Sequence, residues 1–233
     1  MILSGERRPC AALSADDIER MFALMVTHYD GVDPERFRAD LADKEGVFLL
    51  LDERGGIQGF STFRSDVLSF RERSVHYVFS GDTIIDREHW GNPELFRQFG
   101  YLLMDLLDAG RTPLYWFLLS KGIRTYGLLP LYFRSYVPDP LAGEEERALA
   151  AFIAERRYGP HYVASRGIVR FDPPRDRLKP ELSIISDEKR DKPWVRRFLD
   201  CNPGYGGGDE LVCLARIAPD NLTRAGRRFL PLP

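Results

Sequence analysis

Apolar positions along the chain change period several times, and each change marks an element. Ile18, Met21, Phe22 and Met25 recur at helical spacing behind Ser14. Asp16 and Asp17 stand in that first turn, where carboxylates suit the positive helix end. A glycine turn follows, and Pro34 suits the first position of a second helix, predicted over Pro34 to Ala42. The run GVFLLLDERGGIQGFSTFRSD reads as a hairpin, with one strand from Val47 to Leu51, a turn from Glu53 to Gly56 and a return from Ile57 to Phe63. SVHYVFSGDTII is rich in β-branched and aromatic residues and predicts a third strand, Val75 to Ile85. Pro93 then opens a long helix whose apolar face is Leu95, Phe99, Leu102, Leu103 and Leu106, with Gly110 as its stop. Pro113 to Leu119 is apolar nearly throughout, as a strand covered on both faces should be. Because a helix joins these last two strands, they form a βαβ unit and are expected to be parallel neighbours with a right-handed crossover.

A glycine-punctuated helix is expected from Gly122 to Phe133, and after Pro138 the texture changes. GEEERALAAFIAERRYG reads as an exposed helix and HYVASRGIVRF as a strand. FDPPRDRLKPELSIISDEKRDKPW reads as a loop wrapping the surface, and the chain closes with a short helix, the glycine-rich turn NPGYGGGDE and a last strand. With 233 residues, no internal repeat and no linker, one compact unit is expected: a core over 1–137 and an extension over 138–233 packed on it.

Composition narrows the function classes. Hydrophobic residues make up 44% and charged residues 29%, the balance of an ordinary globular protein. A formal net charge of −2 carries no electrostatic footprint for nucleic acid. No apolar run approaches the roughly 20 residues that cross a bilayer, and the first residues lack the apolar core of a signal peptide, so cytoplasmic residence is expected. Three cysteines without CxxC spacing argue against a disulfide framework or a zinc site, and Cys213, within ELVCLARI, reads as a core residue. Four scattered histidines show no ligand spacing, so no metal is expected.

The order helix, helix, antiparallel hairpin, strand, loop, helix, strand, helix over residues 11–136 resembles the GNAT superfamily of acyl-CoA-dependent acyltransferases. The fold this implies is α/β: a mixed, mostly antiparallel twisted sheet with a central splayed parallel pair flanked by helices, here with a C-terminal extension. In that family the loop after the first parallel strand offers backbone N–H groups at a helix N-terminus to the pyrophosphate of coenzyme A, which needs few cations. The corresponding loop here is Arg87, Glu88, His89, Trp90, Gly91 and Asn92. It departs from the family pattern, with one glycine and a bulky Trp90 where small residues are usual. An ordinary strand-to-helix turn would look the same.

The resemblance also implies where to seek catalytic groups. Acyl transfer to an amine needs a base for the ammonium proton and an acid for the leaving thiolate. The base is expected from the strand before the loop, where His76, Ser80 and Asp82 stand, and the acid from a tyrosine after the next strand, Tyr132 or Tyr126. Either tyrosine ring equally suits core packing, and His76 equally suits a structural hydrogen bond. Gly81 inside its strand marks a bulge or a close backbone approach. His28, Tyr29 and Asp30 fall where the family shapes its acceptor pocket, while Lys121 and Arg124 could meet cofactor phosphates or simply face solvent. NPGYGGGDE matches no phosphate or dinucleotide pattern and reads as a tight loop.

The expected activity is transfer of an acyl group from coenzyme A, or from the phosphopantetheine of an acyl carrier protein, to the amine of a small molecule or peptide. A homodimer is compatible with the sequence. Two other readings stay open: a non-catalytic binding or regulatory module on the same fold, and a thioester-processing enzyme without an amine pocket. An open cleft between the splayed strands favours an enzyme, and Trp90 filling it favours the module.

Overall fold

The computed structural model describes residues 2–230 and 232. In chain order the elements are β1 (Ser4–Pro9), α1 (Ala15–His28), β2 (Tyr29–Asp30), α2 (Pro34–Ala42), β3 (Gly46–Leu51), β4 (Ile57–Phe70), β5 (Arg73–Ile85), α3 (Glu94–Asp108) and β6 (Leu114–Ser120). There follow α4 (Ile123–Tyr126), α5 (Leu128–Tyr132), α6 (Glu144–Tyr158), β7 (Tyr162–Val163), β8 (Ile168–Val169), β9 (Arg177–Leu178), α7 (Pro180–Ser183), α8 (Asp187–Arg190), α9 (Pro193–Cys201), β10 (Glu210–Ile217) and α10 (Arg224–Phe229). Eight strands form one sheet in the order β1-β3-β4-β5-β6-β10-β8-β7, and β2 pairs with β9 apart from it. Every neighbouring pair in the large sheet is antiparallel except β5 and β6, which run parallel as the βαβ pattern requires.

Local chemistry explains the helix starts. Ser14 and Asp17 form a capping box at α1, and Asp33 caps α2 with Pro34 in its first turn. Alternation along β3 sets the layers: Phe48 and Leu50 join α3 and the helices after β6 in one cluster, while Val47 and Leu49 pack with α1 and α2 on the opposite face. Tyr77 and Phe79 of β5 and Phe117 of β6 lie on that second face beneath α6.

Several expectations change; the segment read as a surface loop, 171–194, holds β9, α7 and α8, and α10 follows the strand expected to end the chain. SGERRP carries no apolar alternation, yet β1 is an edge strand held by backbone pairing with β3. β4 continues to Phe70, pairing with β5 up to a tight turn whose residues Arg71 and Glu72 both take positive φ, the twist that hairpins favour. The single helix expected after β6 is two short ones, broken at Gly127, where an added Cβ would lie 3.0 Å from the Ile123 carbonyl and 3.2 Å from the Trp194 ring. HYVASRGIVRF is a small hairpin of β7 and β8 that turns at Gly167, not one strand.

The helix read as exposed is a core element. α6 buries Leu149, Ala150, Ile153 and Ala154 against β5, β6 and β10, and of its charges Arg157 turns toward the sheet, over the Phe79 ring and onto Asp66. β10 pairs along the free edge of β6 from Leu211↔Ser120 to Ile217↔Leu114. Residues beyond 138 therefore supply three strands of the sheet. Cys213 is fully buried there. No described helix is long and apolar enough to cross a membrane.

Leu214 is fully buried between β6 and α6. Leu214→Ala is expected to cost about 2–5 kcal/mol. Urea unfolding followed by both circular dichroism and tryptophan fluorescence should show one shifted transition, since a shared core unfolds as a unit.

Candidate active site

The two parallel strands separate partway along. Pairing runs from His76↔Leu114 to Ser80↔Leu118 and then stops. Beyond that point β5 stays bonded to β4 as far as Ile85↔Gly59, and β6 stays bonded to β10 as far as Ser120↔Leu211. A bulge coincides with the parting: Ser61 pairs with Thr83 but Phe63 with Ser80, so Gly81 and Asp82 together oppose Thr62. A Cβ on Gly81 would lie 2.3 Å from Thr62 Oγ1, so the bulge admits glycine alone without rearrangement. The vertex of the V is closed by a hydrogen bond from Trp116 Nε1 to Ser80 Oγ, 2.8 Å.

A cavity of about 710 Å³ occupies the V, lined from both faces of the sheet. On the α3 face its wall is apolar: Leu95, Phe96, Phe99, Trp116, Leu128 and Tyr132. Phe96 stacks on Tyr132 with centroids 4.6 Å apart and on Phe229 at 4.0 Å, which makes that wall rigid. On the α1 face the wall is mixed, with Asp40, Lys44, Asp82, Lys121, Asp176 and Glu210 set among Met25, Phe37 and Phe79. The opening between the strands joins an apolar arm to a charged arm.

The charged arm is arranged around two lysines. Lys44 donates to Asp40 Oδ2 at 2.6 Å and to the Asp40 carbonyl at 3.1 Å. Lys121 pairs with Asp176 and lies 3.4 Å from Glu210, with its ammonium 5.3 Å from the Tyr29 ring. Burial disfavours the Lys121 ammonium, but Glu210 and Asp176 outweigh it and its pKa rises. Burial also pushes Glu210 up, with Lys121 opposing. Asp82 has no hydrogen-bond donor or ion-pair partner among the described residues. Burial, with Asp40 second, pushes its carboxyl up to about 7. A carboxyl without a protein donor, half-titrated near neutral pH and facing a cavity, is a proton acceptor in waiting.

At the outer end of the V, the loop after β5 feeds the N-terminus of α3. Gly91 takes φ 90° with open space around it, so its glycine serves the backbone turn. Asn92 Oδ1 accepts from the Glu94 amide at 2.9 Å. Among the described residues the amides of Gly91, Leu95 and Phe96 have no acceptor, as expected of a helix N-terminus. The Trp90 indole donates to the Ile85 carbonyl at 2.9 Å and is 37% exposed, so it stands at the wall and leaves the V open. The Arg124 guanidinium lies 3.8 Å over that ring. Burial, and next the charge of neighbouring Arg87, lower the Arg124 pKa, and Arg124 makes no ion pair among the described residues. The Arg124 guanidinium, without an ion pair among the described residues and beside unpaired amides, makes a site that favours an anion.

Of the residues singled out from sequence, Gly81, Asp82, Trp90, Gly91, Asn92, Arg124 and Tyr132 line this one cavity, together with Ser80, His28 and Tyr29. Four lie elsewhere. His76 sits at the far end of β5, its amide bonded to the Pro113 carbonyl. Tyr126 is fully buried against Tyr136, Trp194 and Phe198, because the break at Gly127 turns α4 into the core. Arg87 is exposed and pairs with Glu181 at 3.0 Å, and His89 lies in the short turn before Trp90. Lys121, weighed as a phosphate contact or a solvated charge, is buried in the charged arm. Asp40 and Lys44 are a local i,i+4 pair that was passed over, whereas Asp176 and Glu210 come from distant segments and meet them only in the fold; the one hint of these was a glutamate opening the apolar run ELVCLARI.

No protein-family model matches the sequence, and no curated protein matches it. Among solved structures the chain is similar to GNAT N-acetyltransferases. One is a conserved protein of Enterococcus faecalis V583 described as a probable N-acyltransferase, at 14% identity and TM-score 0.42 over 58% of this chain. The chain spans only 33% of that protein's length. Another is the GNAT family N-acetyltransferase YhbS of Escherichia coli, in complex with CoA, at 16% identity and TM-score 0.39 over 63% of this chain and 79% of that one. A third is an aminoglycoside acetyltransferase from an uncultured soil metagenomic sample, at 19% identity and TM-score 0.37 over 54% and 82%. The functional reading rests on the cavity and not on these likenesses.

Lys121→Met leaves Asp176 and Glu210 facing each other without a cation. A loss of about 3–5 kcal/mol is expected at pH 7. Burial raises the Glu210 pKa, so Glu210 takes up a proton as pH falls and the deficit should shrink toward pH 4 and grow above it, measured by urea midpoints across that range.

Proposed function

We propose that this chain is a divergent GNAT-type N-acyltransferase that moves an acyl group from coenzyme A to an amine. The observation that carries the proposal is the single cavity through the parted strands, with an anion-favouring helix N-terminus at its mouth, an apolar arm on one face and an unpartnered carboxyl on the other. A non-catalytic module would have no need of an Asp82 carboxyl held near 7 beside an open channel.

The residues fit the donor. Gly91, Leu95 and Phe96 offer amides to phosphate, and Arg124 adds charge without being committed to a protein carboxylate. The β5 backbone beyond Ser80 is free on the side facing β6 and can bond an extended amide-bearing arm as a missing strand would. When bound, the thioester supplies the electrophilic carbonyl.

The acceptor enters the charged arm as an ammonium ion. Counting Asp33, Asp40, Asp82, Asp176 and Glu210 against Arg36, Lys44, Lys121 and Arg175 leaves that arm with one net negative charge once Asp82 is ionised, which suits a cation. Asp82 removes one proton from the ammonium, directly or through water, and the freed nitrogen forms the new C–N bond as the C–S bond breaks. The leaving thiolate takes a proton from Tyr132, whose hydroxyl is held protonated because burial raises its pKa, and the nitrogen's second proton, shed as the amide forms, returns to the Tyr132 oxygen through water. The acceptor is a small molecule or a peptide terminus.

Two measurements test this. Calorimetric titration with CoA is expected to show saturable binding, weakened at least tenfold by Arg124→Glu with melting temperature unchanged. No binding by the unmodified chain would leave a carrier-protein donor or no thioester at all. With an amine panel and acetyl-CoA, kcat/KM should rise with pH through about 7, where Asp82 loses its proton. Asp82→Asn should abolish that limb and lower kcat about 10²–10⁴-fold. An unchanged profile in the variant would remove Asp82 from the reaction.

A further inference from the structure

The donor arm has a floor. Trp116 projects from β6 on the α3 face at the vertex of the V, and it is 2% exposed. Four contacts fix its ring. Its Nε1 donates to Ser80 Oγ at 2.8 Å, satisfying an indole N–H that burial would otherwise leave unpaired. Its faces and edges pack on Phe99 at 5.2 Å, Phe133 at 6.0 Å and Phe96 at 6.1 Å. Behind it the parallel strands are already paired, Val78 with Trp116 and His76 with Leu114, and no gap remains between them.

The length of the cleft matters here. From Ile85, beside the phosphate loop, to the bulge at Gly81 is four residues of strand, roughly 13 Å. The pantetheine arm from pyrophosphate to sulfur, fully extended, spans roughly 15 Å. A donor whose phosphates meet the α3 amides therefore brings its thioester to the bulge, and an acyl chain continuing in the same direction meets the Trp116 ring at once. The other exit from the bulge passes Asp40, Lys44, Asp82 and Glu210, with Phe79 and Phe37 beside them, and a methylene chain laid there would displace the water that solvates those charges.

We infer that Trp116, held by Ser80, is the specificity-determining residue for the acyl group and restricts the donor to short chains of the acetyl or propionyl class. The inference rests on the transferase reading above. The aromatic lining of the apolar arm serves the pantetheine portion, and the arm ends where the acyl group begins.

The test is a calorimetric titration of CoA, acetyl-CoA, hexanoyl-CoA and dodecanoyl-CoA against the unmodified chain and Trp116→Ala, with Trp116→Leu as a milder truncation should the alanine variant fold poorly. The unmodified chain is expected to bind acetyl-CoA at least as tightly as CoA, and to lose at least tenfold at hexanoyl-CoA. Either truncation should raise the affinity for hexanoyl-CoA, relative to that for CoA on the same variant, by tenfold or more. Ser80→Ala, which frees the ring without emptying its space, should recover less than either. Dodecanoyl-CoA bound by the unmodified chain as tightly as acetyl-CoA would overturn the inference, as would the same chain-length order in both truncations. Those results leave CoA binding intact, whereas failure of CoA itself to bind overturns the transferase reading and this inference together.

Discussion

The parting of β5 and β6 after Ser80 and Leu118 is the constraint around which the rest of the molecule is arranged. Two strands in the middle of a sheet that cease to bond leave backbone donors and acceptors facing a cavity, which is unfavourable unless something else meets them. Several local devices hold the opening. The bulge at Gly81 and Asp82 bends β5 away at the parting point. Trp90 Nε1 takes the Ile85 carbonyl at one limit, and Ser120 Oγ bonds the Gly122 carbonyl at the end of the other strand. The hydrogen bond between Trp116 and Ser80 stops the opening from running further down the pair.

Charge maintains what the backbone begins. Lys121 stands at the end of β6 and is clamped by Asp176 from the segment before β9 and by Glu210 from the start of β10. That clamp ties the C-terminal third to the wall of the cavity, so the extension is part of the site as well as of the sheet. The same cluster sets the state of Asp82. Its carboxyl is buried near Asp40 and Asp176, with Lys121 and Lys44 each already engaged by other carboxylates, so its proton is held to about pH 7. Structural ion pairs and the chemically poised group are thus one electrostatic system, and altering either lysine would move Asp82 as well.

Much of the scaffold was legible because period and punctuation carry it. The residue runs of α1, α2 and α3, and the parallel relation of β5 and β6, follow from apolar spacing, caps and the βαβ rule. Gly81 announced its bulge by being a glycine within a strand. What escaped did so for physical reasons. β1 is polar and is held by backbone bonds, which no side-chain pattern records. α6 carries charges at both ends, and its small inner residues, Ala150 and Ala154, hide its buried face. Tyr126 and Tyr132 could not be told apart because the break at Gly127 depends on the approach of Trp194, distant in sequence. The charged arm was the largest omission: it draws on α2, the segment after it, β6, the segment before β9 and β10, and a pattern spread so widely exists only after folding.

The most direct test of the central claim is a ¹H–¹⁵N spectrum of the labelled chain titrated with coenzyme A. Binding in the parted strands should move the amides of Gly91, Leu95 and Phe96 at the α3 N-terminus together with those of Gly81 to Ile85, while Leu49 in β3 and Ile153 in α6 stay still. Shifts confined to other surfaces, or saturation that leaves both of those segments unmoved, would contradict the assignment of the opening between β5 and β6 as the site where this protein works.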